Sequence, residues 1–96
     1  MPAGYIVGHV DVSNPAQYEA YKRLSSAAMQ AHGAEVLVRG GDQQVLEGQM
    51  PSRTVVLKFV SYAAAKAFYD SPDYRAARAA RAGAAAMQML CVEGVD

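Results

Sequence analysis

Apolar and polar positions alternate with period two over Gly4–Val12, placing Ile6, Gly8 and Val10 on one side and Tyr5, Val7, His9 and Asp11 on the other. The pattern predicts a strand, and because both sides carry apolar residues, neither is expected to face water freely. Ser13-Asn14-Pro15 then reads as a helix start. Asn14 suits the cap, Pro15 suits the first helical position because its missing N–H would be unpaired there, and Gln17 falls three residues after the cap. From Pro15 to His32 the spacing becomes three-four: Tyr18, Tyr21, Ala28, Met29 and His32 share a side with Leu24 beside them, while Glu19, Lys22, Arg23, Ser26 and Gln30 lie elsewhere. An amphipathic helix is expected, closed by Gly33.

Glu35–Arg39 and Gln43–Glu47 flank Gly40-Gly41-Asp42, which predicts a hairpin, or one bent strand with a bulge. Gly48–Ser52 is a loop in which Pro51 bars strand continuation, and Thr54–Phe59 is the most β-prone run in the chain. Ser61 is placed to cap a second helix, with Tyr62, Ala65, Phe68 and Tyr69 on its large-residue face. A residue before proline is pushed out of the helical region, so Ser71-Pro72 should interrupt this helix after Asp70. Ser71 would cap the continuation to Ala82, and Asp73 would sit in its positive N-terminal field. Arg75, Arg78 and Arg81 recur three apart there and read as a solvated face suited to the helix dipole, with Gly83 closing it. Met87–Glu93 is the last strand, with Leu90 and Val92 on one side and Met87, Met89 and Cys91 on the other.

Strand, helix, hairpin-like pair, strand, broken helix, strand is the order of an α+β domain. Two βαβ-type units would collapse into a ferredoxin-like βαββαβ sandwich, a four-stranded antiparallel sheet with both helices on one face. The other face would carry Tyr5, Val7 and His9, together with Met87, Met89 and Cys91 if the alternate set faces the helices. Such a face is too apolar for water. A second copy packed sheet to sheet, as a twofold homodimer, is the economical cover.

Composition narrows the partners. The 96 residues make a single domain, 1–96, and the 52% apolar fraction overstates its core because so much of it is alanine. Nine basic and nine acidic residues give a net charge of +0, so no attraction to nucleic acid or an anionic membrane surface is expected. Cys91 is the only cysteine, which points to a reducing compartment. Met1-Pro2-Ala3-Gly4 lacks a basic leader region, and no apolar run approaches the roughly 20 residues needed to cross a bilayer, so a cytoplasmic protein is expected.

Gly4-Tyr5, Asn14-Pro15 with two downstream tyrosines, His32-Gly33, Arg39-Gly40-Gly41, Leu46-Glu47-Gly48, Arg53 before a valine-rich strand, Tyr69-Asp70-Ser71-Pro72-Asp73-Tyr74, Arg81 and Val92-Glu93-Gly94 span the chain in order. Together they resemble the domain of unknown function 1330 family. That family resembles the dimeric α+β barrel superfamily, whose members include cofactor-independent monooxygenases, lactone isomerases and dye-decolourising peroxidases. The resemblance implies a dimer and a fold far more than a reaction.

His9 and His32 are the only imidazoles, with no cysteine or carboxylate at metal-ligand spacing around either, so no metal is expected. His9 is the one weak catalytic candidate, as an acid or base. The plainer reading is a partly buried ring bonded to a backbone carbonyl or a partner chain. His32 is read as a helix-end residue. Arg39, Glu47, Arg53 and Arg81 match the family's motif positions. The arginines either bind a carboxylate or phosphate through forked hydrogen bonds, or join Glu47 in a network that holds the loops. Tyr18, Tyr21, Tyr69 and Tyr74 read first as core rings with polar tips. If a small anionic ligand binds, Arg39, Arg53, Arg81, Tyr18, Tyr21 and Tyr69 are the residues nominated for it. Cys91 lacks an activating base and reads as inert. Gly40-Gly41 has neither phosphate-loop nor dinucleotide spacing, and haem or iron–sulfur ligands are missing, so no cofactor is expected. Three functions stay open: a ligand-binding homodimer, a cofactor-independent oxygenase or isomerase of phenols or lactones, and a non-catalytic interaction module.

Overall fold

The computed structural model describes residues 2–95, and Met1 and Asp96 lie outside them. The elements are β1 (Gly4–Val12), α1 (Pro15–Ala31), β2 (Glu35–Arg39), β3 (Arg53–Phe59), α2 (Tyr62–Tyr69), α3 (Pro72–Ala80) and β4 (Ala85–Glu93). The strands form one sheet in the order β2-β3-β1-β4, with every neighbouring pair antiparallel. This is the ferredoxin-like arrangement.

Each helix begins where local chemistry placed its start. The Asn14, Ser61 and Ser71 side chains accept from the backbone N–H of Gln17, Ala64 and Tyr74, and proline occupies the first turn of α1 and α3. The break between α2 and α3 falls at Asp70-Ser71. His32 caps the C-terminus of α1, one residue past its last helical position, and Gly33 follows with φ 69°. The Gln17 amide donates to the carbonyls of Ala80 and Ala82, which ties the start of α1 to the end of α3. Gly4 is there for space: a Cβ on it would overlap the backbone of Ser61 and Tyr62, where α2 leaves the sheet.

The core lies between the helices and one sheet face. Ile6, Val10, Leu57 and Phe59 of the sheet are buried against Met29, Phe68, Tyr74 and Ala77 of the helices. A run of rings threads this layer. Phe59 meets Phe68 at 5.0 Å between centroids, Phe68 meets Tyr74 at 4.7 Å, Tyr74 meets Tyr21 at 6.3 Å, and Tyr21 meets Tyr18 at 5.0 Å.

Three expectations need correction. Gln43–Glu47 is no strand; β2 ends at Arg39 and a loop spans residues 40–52. To ladder with 43–47, the chain leading into β3 would have to offer free donors. Pro51 has none, and the Ser52 N–H is taken by the Asp11 carboxylate. The bulge lies instead inside β2, where the register shifts between Val36 and Val38.

The second correction concerns β4. Cys91 pairs with Ile6, Met89 with Gly8 and Met87 with Val10, so this set shares the helix-facing side of β1. Leu90 and Val92, paired with Val7 and Tyr5, take the open face instead. Third, Arg78 and Arg81 do not form a solvated stripe. The Arg78 guanidinium lies 4.1 Å from the centroid of Tyr69, and that of Arg81 lies 5.2 Å from the centroid of Tyr21.

On the open face, Val38, Val56, Val7 and Leu90 stand side by side in one row across all four strands. No helix of the described residues is long and apolar enough to cross a membrane.

Candidate functional site

A cavity of about 30 Å³ lies between α1 and the helix-facing side of the sheet. Tyr18, Tyr21, Lys22, Ser25 and Met29 line it from one face of α1, three and four residues apart. Its floor follows one cross-strand row, Arg39, Val55, Gly8 and Met89, with Arg53 and Met87 beyond it and Tyr74 reaching in from α3. A water needs roughly 10–15 Å³ on this measure, so the space suits a carboxylate-sized group or about two waters.

The lining holds Lys22, Arg39 and Arg53 and no carboxylate. Arg39 stands at the exposed rim, where its Nη2 donates to Ser26 Oγ at 2.7 Å. Arg53 runs beneath Gly40, whose φ of 71° suits glycine and whose missing Cβ makes way for the guanidinium. Arg81, at the C-cap of α3, covers Tyr21 and brings Nη2 within 3.9 Å of Met89 Sδ. The buried Nε atoms of Arg53 and Arg81, like that of Arg78 away from the cavity, have no hydrogen-bond partner among the described residues.

The phenols are held protonated. Burial raises the pKa of Tyr18 above its usual value, and the neighbouring Tyr21 adds to this, against the opposing pull of Arg53 and Arg81. Burial raises Tyr21 much further, and its contact with Tyr74, 2.8 Å between hydroxyls, adds to the shift against the opposing pull of Arg81. Each therefore offers an O–H rather than an oxyanion at neutral pH. Protonated phenols beside guanidinium groups whose Nε atoms lack an acceptor can donate to an anion from more than one side.

Of the residues nominated from sequence, Arg39, Arg53, Tyr18 and Tyr21 meet at this cavity, and Arg81 lies against its wall. Tyr69 does not join them. Its ring is stacked under Arg78 and borders a separate cleft of about 280 Å³ between α2 and β4. His9 stands on the other face of the sheet. Its Nδ1 lies 3.2 Å from Thr54 Oγ1, which donates to Gln43 Oε1 at 2.7 Å, while Gln43 Nε2 donates to the Pro51 carbonyl at 2.9 Å. With the Thr54 proton committed to Gln43, His9 Nδ1 is the donor in its contact with Thr54. His32 pairs with Asp73 at 3.1 Å and lies edge-on to Phe68, a joint between α1 and α3.

Glu47 sits on the exposed 40–52 loop and makes no ion pair among the described residues, so the Arg–Glu network does not form. Burial raises the Cys91 pKa, with Lys66 opposing, which leaves the thiol largely un-ionised at neutral pH. Among the described residues, no group of three His, Cys, Asp or Glu side chains comes close enough to hold a metal.

Lys22, Ser25, Met29, Met87 and Met89 were not singled out for the site by the sequence. Helical spacing from Tyr18 and Tyr21 reaches the first three. The two methionines needed the β1–β4 register.

The sheet order and single helical layer define a ferredoxin-like α+β protein. The family model for a domain of unknown function, DUF1330, matches residues 3–95, and the chain belongs to that family. Among solved structures, it is similar to a protein of unknown function from Rhodopseudomonas palustris, with 19% identity, a TM-score of 0.75, and coverage of 99% of this chain and 84% of that one. A dimeric ferredoxin-like protein of unknown function from Thermobifida fusca is 20% identical at TM-score 0.64, over 98% and 92% of the two chains. SnoaB, a cofactor-independent oxygenase from Streptomyces nogalater, is 12% identical at TM-score 0.62, over 100% and 96%. At these identities the likeness is one of fold. No curated protein matches the chain.

Proposed function

We propose that this chain acts as a homodimer, joined through the open face of its sheet, that binds the anionic head of a small organic molecule in the cavity between α1 and the sheet. One observation carries the ligand reading: buried guanidinium Nε atoms of Arg53 and Arg81 lack acceptors beside a lining that contains cations and no acid. An anion would supply those acceptors and offset the buried charge. The small volume restricts the buried part to a carboxylate-sized head, with the remainder lying toward the rim at Arg39 and Lys22. His9 has no part in this reading, because it stands on the other face.

The dimer reading is supported by the row Val38, Val56, Val7 and Leu90. Leu90 is 54% exposed in the single chain, beside exposed Val38 and Val92. A thermal-shift screen with small carboxylates, phenols and lactones tests the binding. A carboxylate near a hundred times its Kd should stabilise by about 2.7 kcal/mol and raise the Tm by several degrees. Arg53→Gln should abolish that rise. The reading fails if no carboxylate moves the Tm, or if Arg53→Gln responds like the wild type.

A further inference from the structure

Residues 40–52 form an arm whose base is fixed and whose tip is bare. Gly40 N–H donates to the Thr54 carbonyl at 2.9 Å, Gln43 bridges Thr54 and Pro51, and Ser52 N–H donates to Asp11 at 2.8 Å. Beyond this base Val45, Leu46 and Met50 are exposed, Leu46 to 86%. Hydrogen bonds at the root therefore present an apolar tip to solvent, where it gains nothing from the hydrophobic effect.

The same chain carries a concave counterpart. The cleft between α2 and β4 has about 280 Å³ of space, bordered by Lys66, Tyr69 and Asp70 on the helix side and by Met89, Leu90 and Cys91 of β4, with Ile6 of β1 at its inner end. β4 is a nine-residue edge strand, and such an edge leaves backbone groups unpaired unless something covers it. Arm and cleft lie at opposite sides of the sheet, since the arm joins β2 to β3 and the cleft follows β4. Three strand spacings, roughly 14 Å, separate those edges, and no residue of the arm lines the cleft of its own chain. A knob and a cleft on different surfaces of one chain can engage only between copies, and of the possible arrangements a twofold axis makes that engagement reciprocal and closed where a head-to-tail one would run on into a chain. The cleft carries one charge of each sign, Lys66 and Asp70, and Lys66 is the one that Glu47 of the arm complements. Glu47 on the arm and Lys66 at the cleft are both exposed, and neither has an ion-pair partner among the described residues.

We infer that the arm of each subunit lays Val45, Leu46 and Met50 into the β4-edge cleft of a second copy of this chain, with Glu47 against Lys66. The inference rests on the dimer reading above and adds where the subunits clasp. Cys91, the sole thiol, borders the cleft and reports on it. Leu46→Cys treated with a short bis-maleimide at low micromolar protein should give a covalent dimer that wild type does not form. Adding Cys91→Ala should abolish it. Leu46→Asp should weaken the dimer at least roughly tenfold in sedimentation, with an unchanged circular dichroism spectrum.

A covalent dimer that survives Cys91→Ala means that the arms meet each other, and overturns the assignment. So does a non-covalent dimer with no linkage through Cys91, or one untouched by Leu46→Asp; either leaves the sheet-face dimer standing. Wild type sedimenting as a single chain overturns both readings.

Discussion

Two rows of residues run across this sheet one step apart. Ile6 and Leu57 stand in the row that points at the helices and are each 2% exposed. Val7 and Val56, the next residues along the same strands, point the other way and share their row with Leu90 and Val38, which are exposed. The side chains are alike in chemistry and differ in what lies above them. Period-two alternation tells which residues share a face, but burial is decided by what covers that face.

The largest expected effect is on the covered row. Leu57→Ala should cost about 2–5 kcal/mol in denaturant unfolding, because the helices above it cannot collapse fully into the space left behind. A loss below about 1 kcal/mol would mean that this layer is loosely packed and the contrast between faces is weaker than it looks.

Leu90→Asp probes the other row. It should leave the folded subunit's spectrum unchanged while lowering dimer affinity at least roughly a hundredfold, since it places an unpaired charge in the proposed sheet-to-sheet contact. Sedimentation across a dilution series reads this directly. An unaltered dimer would move the interface to another surface.

The smallest effect is one of pH and separates the cavity from both rows. Tyr18 and Tyr21 have folded pKa values raised above 10.0, so below that value both states keep the proton and stability is flat with respect to these groups. As pH rises past 10 the unfolded chain ionises first, and stability falls until the folded phenols ionise too. Urea midpoints between pH 8 and 11 should show this decline, and Tyr21→Phe should make it shallower. An identical slope in the variant would assign the alkaline loss to other groups.

Much of the fold was legible because its signals are local. Asn14-Pro15, Ser61 and Ser71-Pro72 each fix a helix start through one side chain and the next few N–H groups, and the structure has all three caps. The site was legible in part: Tyr18, Tyr21 and Met29 share a helix face at readable spacing, whereas Lys22, which the sequence reading sets elsewhere, lines the cavity with them. Gln43–Glu47 misled because β-prone residues extend a strand only if a neighbour offers donors, and Pro51 and Ser52 do not.

The chain's own order of residues thus determined its helix starts, the positions of β1 to β4 though not the absence of a strand at Gln43–Glu47, and the family to which it belongs, since each depends on contacts within a few residues or on a motif order spanning the chain. Only the tertiary structure decided which way Met87, Met89 and Cys91 face, that Arg78 and Arg81 fold back over rings, and that Tyr69 stands apart from Tyr18 and Tyr21. Those outcomes rest on strand register and helix docking, which join residues tens of positions apart. A one-residue change in register would exchange every inward and outward side chain of β4.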